Sequence, residues 1–370
     1  MVERHGLFAL IAGGGSGGHV MPALAVADAL VDRGHDRTSV AFVGSANGME
    51  STLVGAAGFE ITLYELRSFP RRLTVSHLRS AWLLGKALVQ AVFLVRRQRP
   101  KVVVSVGGYA SLPGVVAAVV THTPIVALSY DAIPGRASLV AGRFARKCAV
   151  AFAESPLPRK VVTGAALRRE ILAVDRARDR DAARLALGIP PDRLCLLVVG
   201  GSQGSGALNA VIDAFVQTHR ERTDLAVRHV LGQRNDDGGR APMSGQAGLL
   251  YQTVGFESDM ATAYAAADIV LARAGATTVF EVATVGIASI LVPWPDAAED
   301  HQTANANALA RVGGAIVVSE ADFCPERLAE EVERLGNAEV RDGMARAAMT
   351  IGHRDGAARI AAVVEDCAAS

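Results

Sequence analysis

The sequence predicts an α/β protein built from two doubly wound parallel sheets, and three observations support this fold class. Short apolar runs alternate with helical patterns along the whole chain, as βαβ units do. A glycine-rich turn joins an apolar run to a helix at Gly13 and again at Gly200, 200 − 13 = 187 positions later. Of the 370 residues 50% are hydrophobic, so the chain can bury two cores of ordinary domain size.

The predicted strands are the apolar runs that a sheet buried on both faces requires. In the first half they are Leu7–Ala12, Ser39–Val43, Val102–Val106, Ile125–Leu128 and Ala149–Ala153, with a helix over Pro22–Val31 that has Pro22 in its first turn. In the second half they are Leu194–Val199, Val227–Leu231, Ile269–Leu271 and Ser289–Val292, with a helix from about Ala207 and a helical tail over about Val340–Ala369. The predicted domains are residues 1–164 and 165–345, followed by a C-terminal helix, 346–370, that packs back toward the N-terminal domain.

Two glycine loops are the first candidate sites. Gly13–His19 (GGGSGGH) follows a strand and opens a helix, so its free N–H groups favour an anion. A nicotinamide dinucleotide is disfavoured, because the second predicted strand ends in Gly44-Ser45 instead of an acidic residue. His19 lies at the helix start, where a neutral imidazole is favoured and can accept a proton, or can simply cap the loop. Gly200–Gly204 is the matching loop, and it presents Ser202 and Gln203 to a diphosphate.

Two further candidates lie at helix starts of the second half. Glu281 falls in the early turns of a helix after the strand Ile269–Leu271, where a carboxylate can bind the two hydroxyls of a ribose or act only as a surface charge. Gln302 offers both a donor and an acceptor, which suits sugar hydroxyls. No metal or cofactor site is predicted, because the four cysteines are far apart in sequence; their scarcity also favours a reducing compartment over a disulfide framework.

The charge is balanced globally but not locally. Lys and Arg number 38 and Asp and Glu 37, so nothing in the overall charge favours nucleic acid. Residues 67–101 nevertheless carry nine positive charges and no acidic residue, with apolar residues interleaved. This pattern favours contact with an anionic membrane surface, although part of the apolar set must face the sheet. The alternative is a core-packed helix with a solvated cationic face. No apolar stretch reaches the ~18–20 residues of a transmembrane helix.

Five motifs in order resemble the MurG-like N-acetylglucosaminyltransferases of glycosyltransferase family 28. They are GGGSGGHVMPALAVADAL (13–30), VGGYASLPG (106–114), GGSQGSGALN (200–209), ADIVLARAGATTVFE (267–281) and DHQTANANAL (300–309). The resemblance implies a GT-B fold, in which two Rossmann-like domains face a cleft. It implies inverting transfer of N-acetylglucosamine from UDP-GlcNAc to lipid I, forming lipid II for the cell wall. It also implies a peripheral position on the cytoplasmic face of the cell membrane and no cofactor.

The resemblance assigns roles residue by residue. His19 is the general base or an acceptor-diphosphate ligand, and the acceptor side is formed by Gly107, Gly108, Tyr109 and Ser111. The donor is bound by Ser16, Gly17, Gly18, Asp131, Arg168, Ser202, Gln203, Phe256, Glu257, Ala276, Thr277, Thr278, Val279, Phe280, Glu281 and Gln302. Within this set, Phe256 and Glu257 flank the uracil, Glu281 holds the ribose and Gln302 reads the sugar hydroxyls.

The chain departs from the family pattern between its motifs. Leu128-Ser129-Tyr130-Asp131 stands where the family has His-Glu-Gln-Asn, and Ala165-Ala166-Leu167 where it has Asn-Pro-Val. An ionised Asp131 only accepts hydrogen bonds and repels a nearby diphosphate. These departures leave alternatives open: the same fold with another lipid or a small-molecule acceptor, a UDP-GlcNAc 2-epimerase, or a non-catalytic paralogue that binds a UDP-sugar or the membrane.

Overall fold

The computed structural model describes residues 6–15, 17–66, 76–201, 203–232 and 248–369. It divides into two units, Met1–Arg168 with Asp355–Ser370, and Arg169–Arg354. Each unit is an α/β sandwich around one parallel sheet. The division follows Arg168, four residues after the Gly164 expected from the sequence. The second division precedes Asp355, in a loop between two helices.

The first unit contains a seven-stranded parallel sheet in the order β3-β2-β1-β4-β5-β6-β7. Its strands are β1 (Ala9–Ala12), β2 (Val40–Ser45), β3 (Glu60–Tyr64), β4 (Val102–Ser105), β5 (Ile125–Ser129), β6 (Lys147–Val150) and β7 (Lys160–Val162). Its helices are α1 (Gly17–Asp32), α2 (Glu50–Ala56), α3 (Ser76–Gln98), α4 (Leu112–Thr121) and α5 (Arg136–Phe144). The central strands β1 and β4 are buried at every position, as a sheet covered on both faces requires.

The second unit contains a six-stranded parallel sheet in the order β10-β9-β8-β11-β12-β13. Its strands are β8 (Leu194–Val199), β9 (Leu225–Val230), β10 (Leu250–Val254), β11 (Ile269–Ala272), β12 (Ala288–Leu291) and β13 (Ile316–Val317). Its helices are α6 (Arg169–Leu172), α7 (Arg176–Leu187), α8 (Gly206–Thr218), α9 (Met260–Ala266), α10 (Ala276–Val285), α11 (His301–Arg311), α12 (Pro325–Gly336) and α13 (Ala338–Met349).

The final helix, α14 (Gly356–Ala369), belongs to the first unit and packs against α1 and against β4, β5 and β6. Two ion pairs attach it there: Glu365 binds Arg33, and Asp366 binds Lys147. Among the described helices none is both long and apolar enough to cross a bilayer.

Three details of the sequence prediction need correction. The helix predicted over Pro22–Val31 begins at Gly17, so Pro22 lies inside the helix and not in its first turn. The strand predicted over Ala149–Ala153 is β6, which ends at Val150. The predicted helical tail is two helices, because a non-helical break separates Met349 from Gly356. Gly352 in this break lies so close to α10 that a Cβ there would be 2.7 Å from the carbonyl oxygen of Ala283.

Candidate functional site

The predicted glycine motifs lie at the topological switch point of each sheet. Ligands of doubly wound sheets bind beyond the carboxyl ends of the strands, where the strand order reverses. In the first sheet this point is between β1 and β4, and the turns at Gly13–Gly15 and Val106–Gly108 follow those strands. In the second sheet it is between β8 and β11, which lead into Gly200–Gly204 and Arg273–Gly275. The topology therefore brings two motifs together in each unit: the loops after β1 and β4 in the first, and the loops after β8 and β11 in the second.

His19 lies in the first turn of α1 and is half-buried against the second glycine turn of its unit. A Cβ at Gly107 would lie 3.4 Å from His19 Cδ2 and 3.5 Å from its Nε2. Gly108 (φ +72°) approaches the first loop just as closely, since a Cβ there would lie 2.9 Å from the carbonyl oxygen of Gly14. The structure thus joins the candidate base and the acceptor-side motif, which the sequence separates by almost ninety residues.

The acceptor-side residues Tyr109 and Ser111 differ in what they can offer a ligand. Ser111 is buried, and its Oγ donates to the carbonyl oxygen of Gly108 at 2.8 Å, so this hydroxyl closes the turn. Tyr109 is half-buried with its Oη 3.5 Å from Ser45 Oγ, and its ring lies beside Gly15. Tyr109 is therefore the acceptor-side residue whose ring and hydroxyl border the first glycine loop.

The sequence does not single out Glu50, the first residue of α2. Its carboxylate is 1% exposed and accepts the backbone N–H groups of Gly15 and Ser45, each at 2.7 Å. The only signal in the sequence was an acidic residue after a glycine-containing loop, which is also ordinary for a helix start. The function of the carboxylate depends on residues 35 and 5 positions away, which no local pattern relates to it.

The Gly200–Gly204 loop is packed against a glycine that the sequence does not single out. Ser205 caps α8, because its Oγ accepts the N–H of Leu208 at 3.3 Å. Gly232 (φ +88°) follows β9, and a Cβ there would lie 2.2 Å from the backbone nitrogen of Gly204. Any side chain at position 232 would therefore displace the Gly200–Gly204 loop. Gln203, within that loop, is exposed.

Arg273, at the end of β11, fixes the same loop from the other side. It is 8% exposed and donates to the carbonyl oxygens of Val292 and Pro293, each at 3.1 Å. It also donates to Ser205 Oγ at 2.7 Å and pairs with Glu320. Hydrogen bonds from a charged donor are strong, so Arg273 holds the cap of α8 in register with β12.

The helix α10 carries one buried carboxylate, and its other buried side chains pack into the core of the second unit. Glu281 is 5% exposed and accepts a hydrogen bond from Tyr264 Oη at 3.0 Å. Ala276, Val279 and Phe280 are buried, and the N–H of Val279 is bonded to Gly275. Val279 and Phe280 therefore have their side chains in the core, while the half-buried Thr277 and Thr278 are the residues of this turn that reach the surface.

Phe256 and Glu257 lie in the loop after β10. Phe256 is 52% exposed, whereas the Glu257 carboxylate is buried and pairs with Arg228 through Nε at 2.8 Å and Nη2 at 2.6 Å. Glu257 Oε1 also accepts the N–H of Asp259 at 3.3 Å. The carboxylate is thus used to fix the loop, which leaves the Phe256 ring and the backbone to meet a ligand.

Gln302 lies in the first turn of α11 and is half-buried. Its Oε1 accepts the N–H of Trp294 at 3.0 Å. The sequence predicts that both a donor and an acceptor of Gln302 are available to a sugar; one lone pair of the oxygen is used by Trp294 here, and the side-chain amide nitrogen can donate. The buried Asn305, one turn further, donates to the carbonyl oxygen of Ala274 at 3.2 Å and so ties α11 to the start of α10.

The other predicted residues are distributed as follows. Ser16 and Ser202 lie outside the described residues, Gly17 is half-buried, Gly18 is exposed, and Asp131 and Arg168 are half-buried. In the departing stretch, Leu128 is buried in β5. Tyr130 is buried too, its Oη has no hydrogen-bond partner among the described residues, and burial raises its pKa.

Family models match both units of the chain. Residues 9–150 match the glycosyltransferase family 28 N-terminal domain, and residues 195–360 match the glycosyltransferase family 28 C-terminal domain. A protein of Clavibacter sepedonicus named UDP-N-acetylglucosamine–N-acetylmuramyl-(pentapeptide) pyrophosphoryl-undecaprenol N-acetylglucosamine transferase is 38% identical over 363 residues, which are 98% of this chain and 96% of that protein. A protein of the same name from Anaeromyxobacter dehalogenans is 39% identical, over 96% of this chain and 91% of its own.

Solved structures of the same fold are also similar to this chain. The crystal structure of Acinetobacter baumannii MurG is similar with a TM-score of 0.77 and 29% identity, covering 97% of this chain and 99% of its own. The calicheamicin glycosyltransferase CalG4 shares the fold with a TM-score of 0.67, at 19% identity over 99% of this chain and 98% of its own. The predicted GT-B fold class is confirmed. On the extent of these similarities, this chain belongs to glycosyltransferase family 28.

Proposed function

We propose that this chain transfers N-acetylglucosamine from UDP-GlcNAc to lipid I and so forms lipid II for peptidoglycan. The observation that carries this function is the 38% identity to a named transferase of this reaction over 98% of the chain. The motifs that account for the resemblance also meet at the two switch points, where a doubly wound sheet binds ligands.

The second unit binds the donor in this proposal. The backbone of Gly200–Gly204 and the N-terminus of α8 receive the diphosphate, supported by the packing of Gly232 and Arg273. Glu281, oriented by Tyr264, accepts ribose hydroxyls, because one carboxylate has lone pairs for several donors. The exposed ring of Phe256 lies against the uracil, and the Gln302 amide nitrogen donates to a sugar hydroxyl.

The first unit binds the acceptor and supplies the base. An acceptor hydroxyl attacks C1 of N-acetylglucosamine on the face opposite UDP, and the bond from C1 to the UDP oxygen breaks with its electron pair on UDP. His19 takes the proton of the hydroxyl, directly or through a water. The first turn of α1 favours the neutral imidazole that this step needs. Arg168 contacts the departing diphosphate and stabilises its charge.

The outer face of α3 lies on an anionic membrane in this proposal, where a lipid-linked acceptor is found. Trp82, Val89 and Phe93 recur at helical spacing and are 65%, 57% and 67% exposed. Lys86 lies on the same face over the Trp82 ring, and the exposed Arg96 and Arg97 follow in the last turn. The opposite face packs into the core through Leu83, Ala87, Ala91 and Val95. The described part of residues 67–101 thus combines apolar insertion with cationic attraction. Residues 67–75 lie outside the described part.

A second candidate function keeps the donor and changes the acceptor. The observation that favours it is the stretch Leu128–Asp131, in which a buried apolar residue and an acid replace the family's His and Asn. An ionised Asp131 repels a nearby diphosphate, so an acceptor that has no diphosphate would be less affected by it than lipid I.

The deciding experiment measures UDP release from UDP-GlcNAc with and without a lipid I analogue in anionic vesicles. Acceptor-dependent release, with N-acetylglucosamine found on the analogue, supports the proposed function. No release in either arm, with UDP-GlcNAc binding intact by calorimetry, favours the second candidate. Equal release in both arms contradicts both candidates and points to epimerase-like or hydrolytic chemistry.

A further inference from the structure

We propose that Glu50 is a positioning residue of the acceptor half-site, an internal anion that holds the first glycine loop in the conformation which places His19 and Tyr109. The inference rests on the proposed function, because it assigns Glu50 to the transfer step. The observations that carry it are geometric.

One carboxylate joins the ends of two strands. Glu50 Oε2 accepts the N–H of Gly15, beyond β1, and Glu50 Oε1 accepts the N–H of Ser45, the last residue of β2. Both distances are 2.7 Å, in the range of charge-assisted hydrogen bonds. The side chain is 1% exposed, so water does not compete for these bonds.

A slot of three glycines accommodates the buried side chain. A Cβ at Gly14, Gly44 or Gly48 would lie 2.3, 2.6 or 2.0 Å from the nearest atom of Glu50. These glycines come from the first loop, from β2 and from the turn before α2. Three chain segments therefore lack a side chain where the carboxylate lies, which is more than the capping of one short helix needs.

Each amide held by Glu50 leads to a candidate site residue. Gly15 lies two residues before α1, whose first turn contains His19. A Cβ at Gly15 would lie 3.6 Å from Cε1 of the Tyr109 ring. Ser45 lies 3.5 Å from Tyr109 Oη through its own hydroxyl. A shift of the carboxylate would thus move the base and its neighbour together.

The same bond changes what the loop can bind. The sequence predicted free N–H groups at Gly13–His19 for an anion, but the Gly15 N–H already donates to Glu50. The internal carboxylate fills this position, and it repels a phosphate from it. The negative charges of the acceptor are therefore excluded from Gly15.

The test compares two variants with a matched control. In Glu50→Gln the side chain keeps its size, but only one of its two terminal atoms can accept, so one backbone N–H meets an NH2 group. In Gly48→Ala the charge remains and the new methyl pushes the carboxylate from its slot. Glu331→Gln is the control, since Glu331 is a buried carboxylate of α12 that pairs with Arg327 in the second unit.

We expect both variants to lower kcat about 100-fold, the loss typical of displaced catalytic groups, with the KM for UDP-GlcNAc unchanged. Glu331→Gln should keep the wild-type kcat even if its Tm falls by as much as the Tm of the two test variants. Amide hydrogen exchange at Gly15 should become faster in both test variants, whether or not they transfer sugar.

Wild-type kcat in both variants, with an active wild-type enzyme, overturns the inference, as does unchanged exchange at Gly15. A kcat loss that the control shares in proportion to its Tm also overturns it, because the role would then be structural only. A wild-type protein that transfers nothing contradicts the proposed function instead, and the exchange measurement then decides the role of Glu50 in the loop by itself.

Discussion

Tyr264 Oη donates a hydrogen bond to Glu281 Oε2 at 3.0 Å inside the second unit. Both residues are buried, at 1% and 5% exposure, and the bond joins the short helix α9 to α10. A buried carboxylate with a fixed hydroxyl partner is held in one orientation, and the proposed ribose role depends on that orientation.

Loss of the Glu281 charge should weaken donor binding. We expect Glu281→Gln to raise the Kd of UDP about 10- to 100-fold, because a hydrogen bond to a charged group is lost. Tyr264→Phe should raise it about 5-fold, since only the orienting bond is removed. Calorimetry with UDP and 2′-deoxy-UDP checks the assignment, and the preference for UDP over 2′-deoxy-UDP should be weaker in Glu281→Gln than in the wild type. A variant that still prefers UDP as strongly as the wild type would contradict the ribose role.

Removal of the His19 imidazole should affect catalysis and not donor binding. We expect His19→Ala to lower kcat about 10²- to 10⁴-fold, the usual contribution of a general base. The KM for UDP-GlcNAc should stay the same, because the donor is assigned to the other unit. Steady-state kinetics with a lipid I analogue measures both constants, and a near-normal kcat would exclude His19 as the base.

A methyl group at Gly232 should disturb the donor loop. Gly232→Ala places a Cβ 2.2 Å from the backbone of Gly204 and forces an alanine to φ +88°. We expect a loss of about 2–4 kcal/mol in the free energy of unfolding, from backbone strain and overpacking together, and a weaker affinity for UDP. Gly34→Ala is the control, since φ is +100° there and nothing lies within 4 Å; it should destabilise by strain alone and bind UDP normally.

Polar substitutions on the outer face of α3 should weaken membrane binding. We expect Trp82→Ser with Phe93→Ser to reduce co-sedimentation with anionic vesicles several-fold, because apolar insertion is lost. Turnover of a short-chain, detergent-soluble acceptor should be unaffected. Leu185→Ser is the control, since Leu185 is 84% exposed on α7 of the other unit. Binding of the double variant equal to the wild type, at low and high salt, would contradict the membrane role of this face.

Acid should loosen the attachment of α14. The hydrogen bond from Arg33, with the contributions of its charge and of His35, holds the pKa of Glu365 below its ordinary value of 4.5. The pairing therefore stabilises the fold above pH 4.5, and this stabilisation is lost as the pH falls through the lowered pKa. Glu365→Gln should be slightly less stable than the wild type at pH 7, and the difference between the two should be smaller at pH 3, as measured by urea unfolding. The exposed Glu60→Gln serves as the control and should track the wild type at both pH values.

The sequence predicted the interior of both sheets and missed their edges. The strands that it did not predict are β3, β7, β10 and β13, and these are the four edge strands. Interior strands are covered on both faces and appear as continuous apolar runs. Edge strands are partly exposed, as in Glu60–Tyr64 and Lys160–Val162, or very short, as in Ile316–Val317. Periodicity alone does not separate them from loops.

The features of the candidate site also separate into those that the sequence predicted and those that only the structure shows. The sequence by itself determined the fold class, the order of the motifs and the candidates His19, Glu281 and Gln302, because glycine turns and helix starts are local patterns. Only the tertiary structure decided that the Glu50 carboxylate binds the Gly15 N–H of the first loop, that Gly232 packs against the second loop, and that the side-chain oxygen of Gln302 accepts the Trp294 N–H. Each of these depends on backbone groups from distant parts of the chain, and a buried polar group takes its role from the partners that folding brings within hydrogen-bond distance.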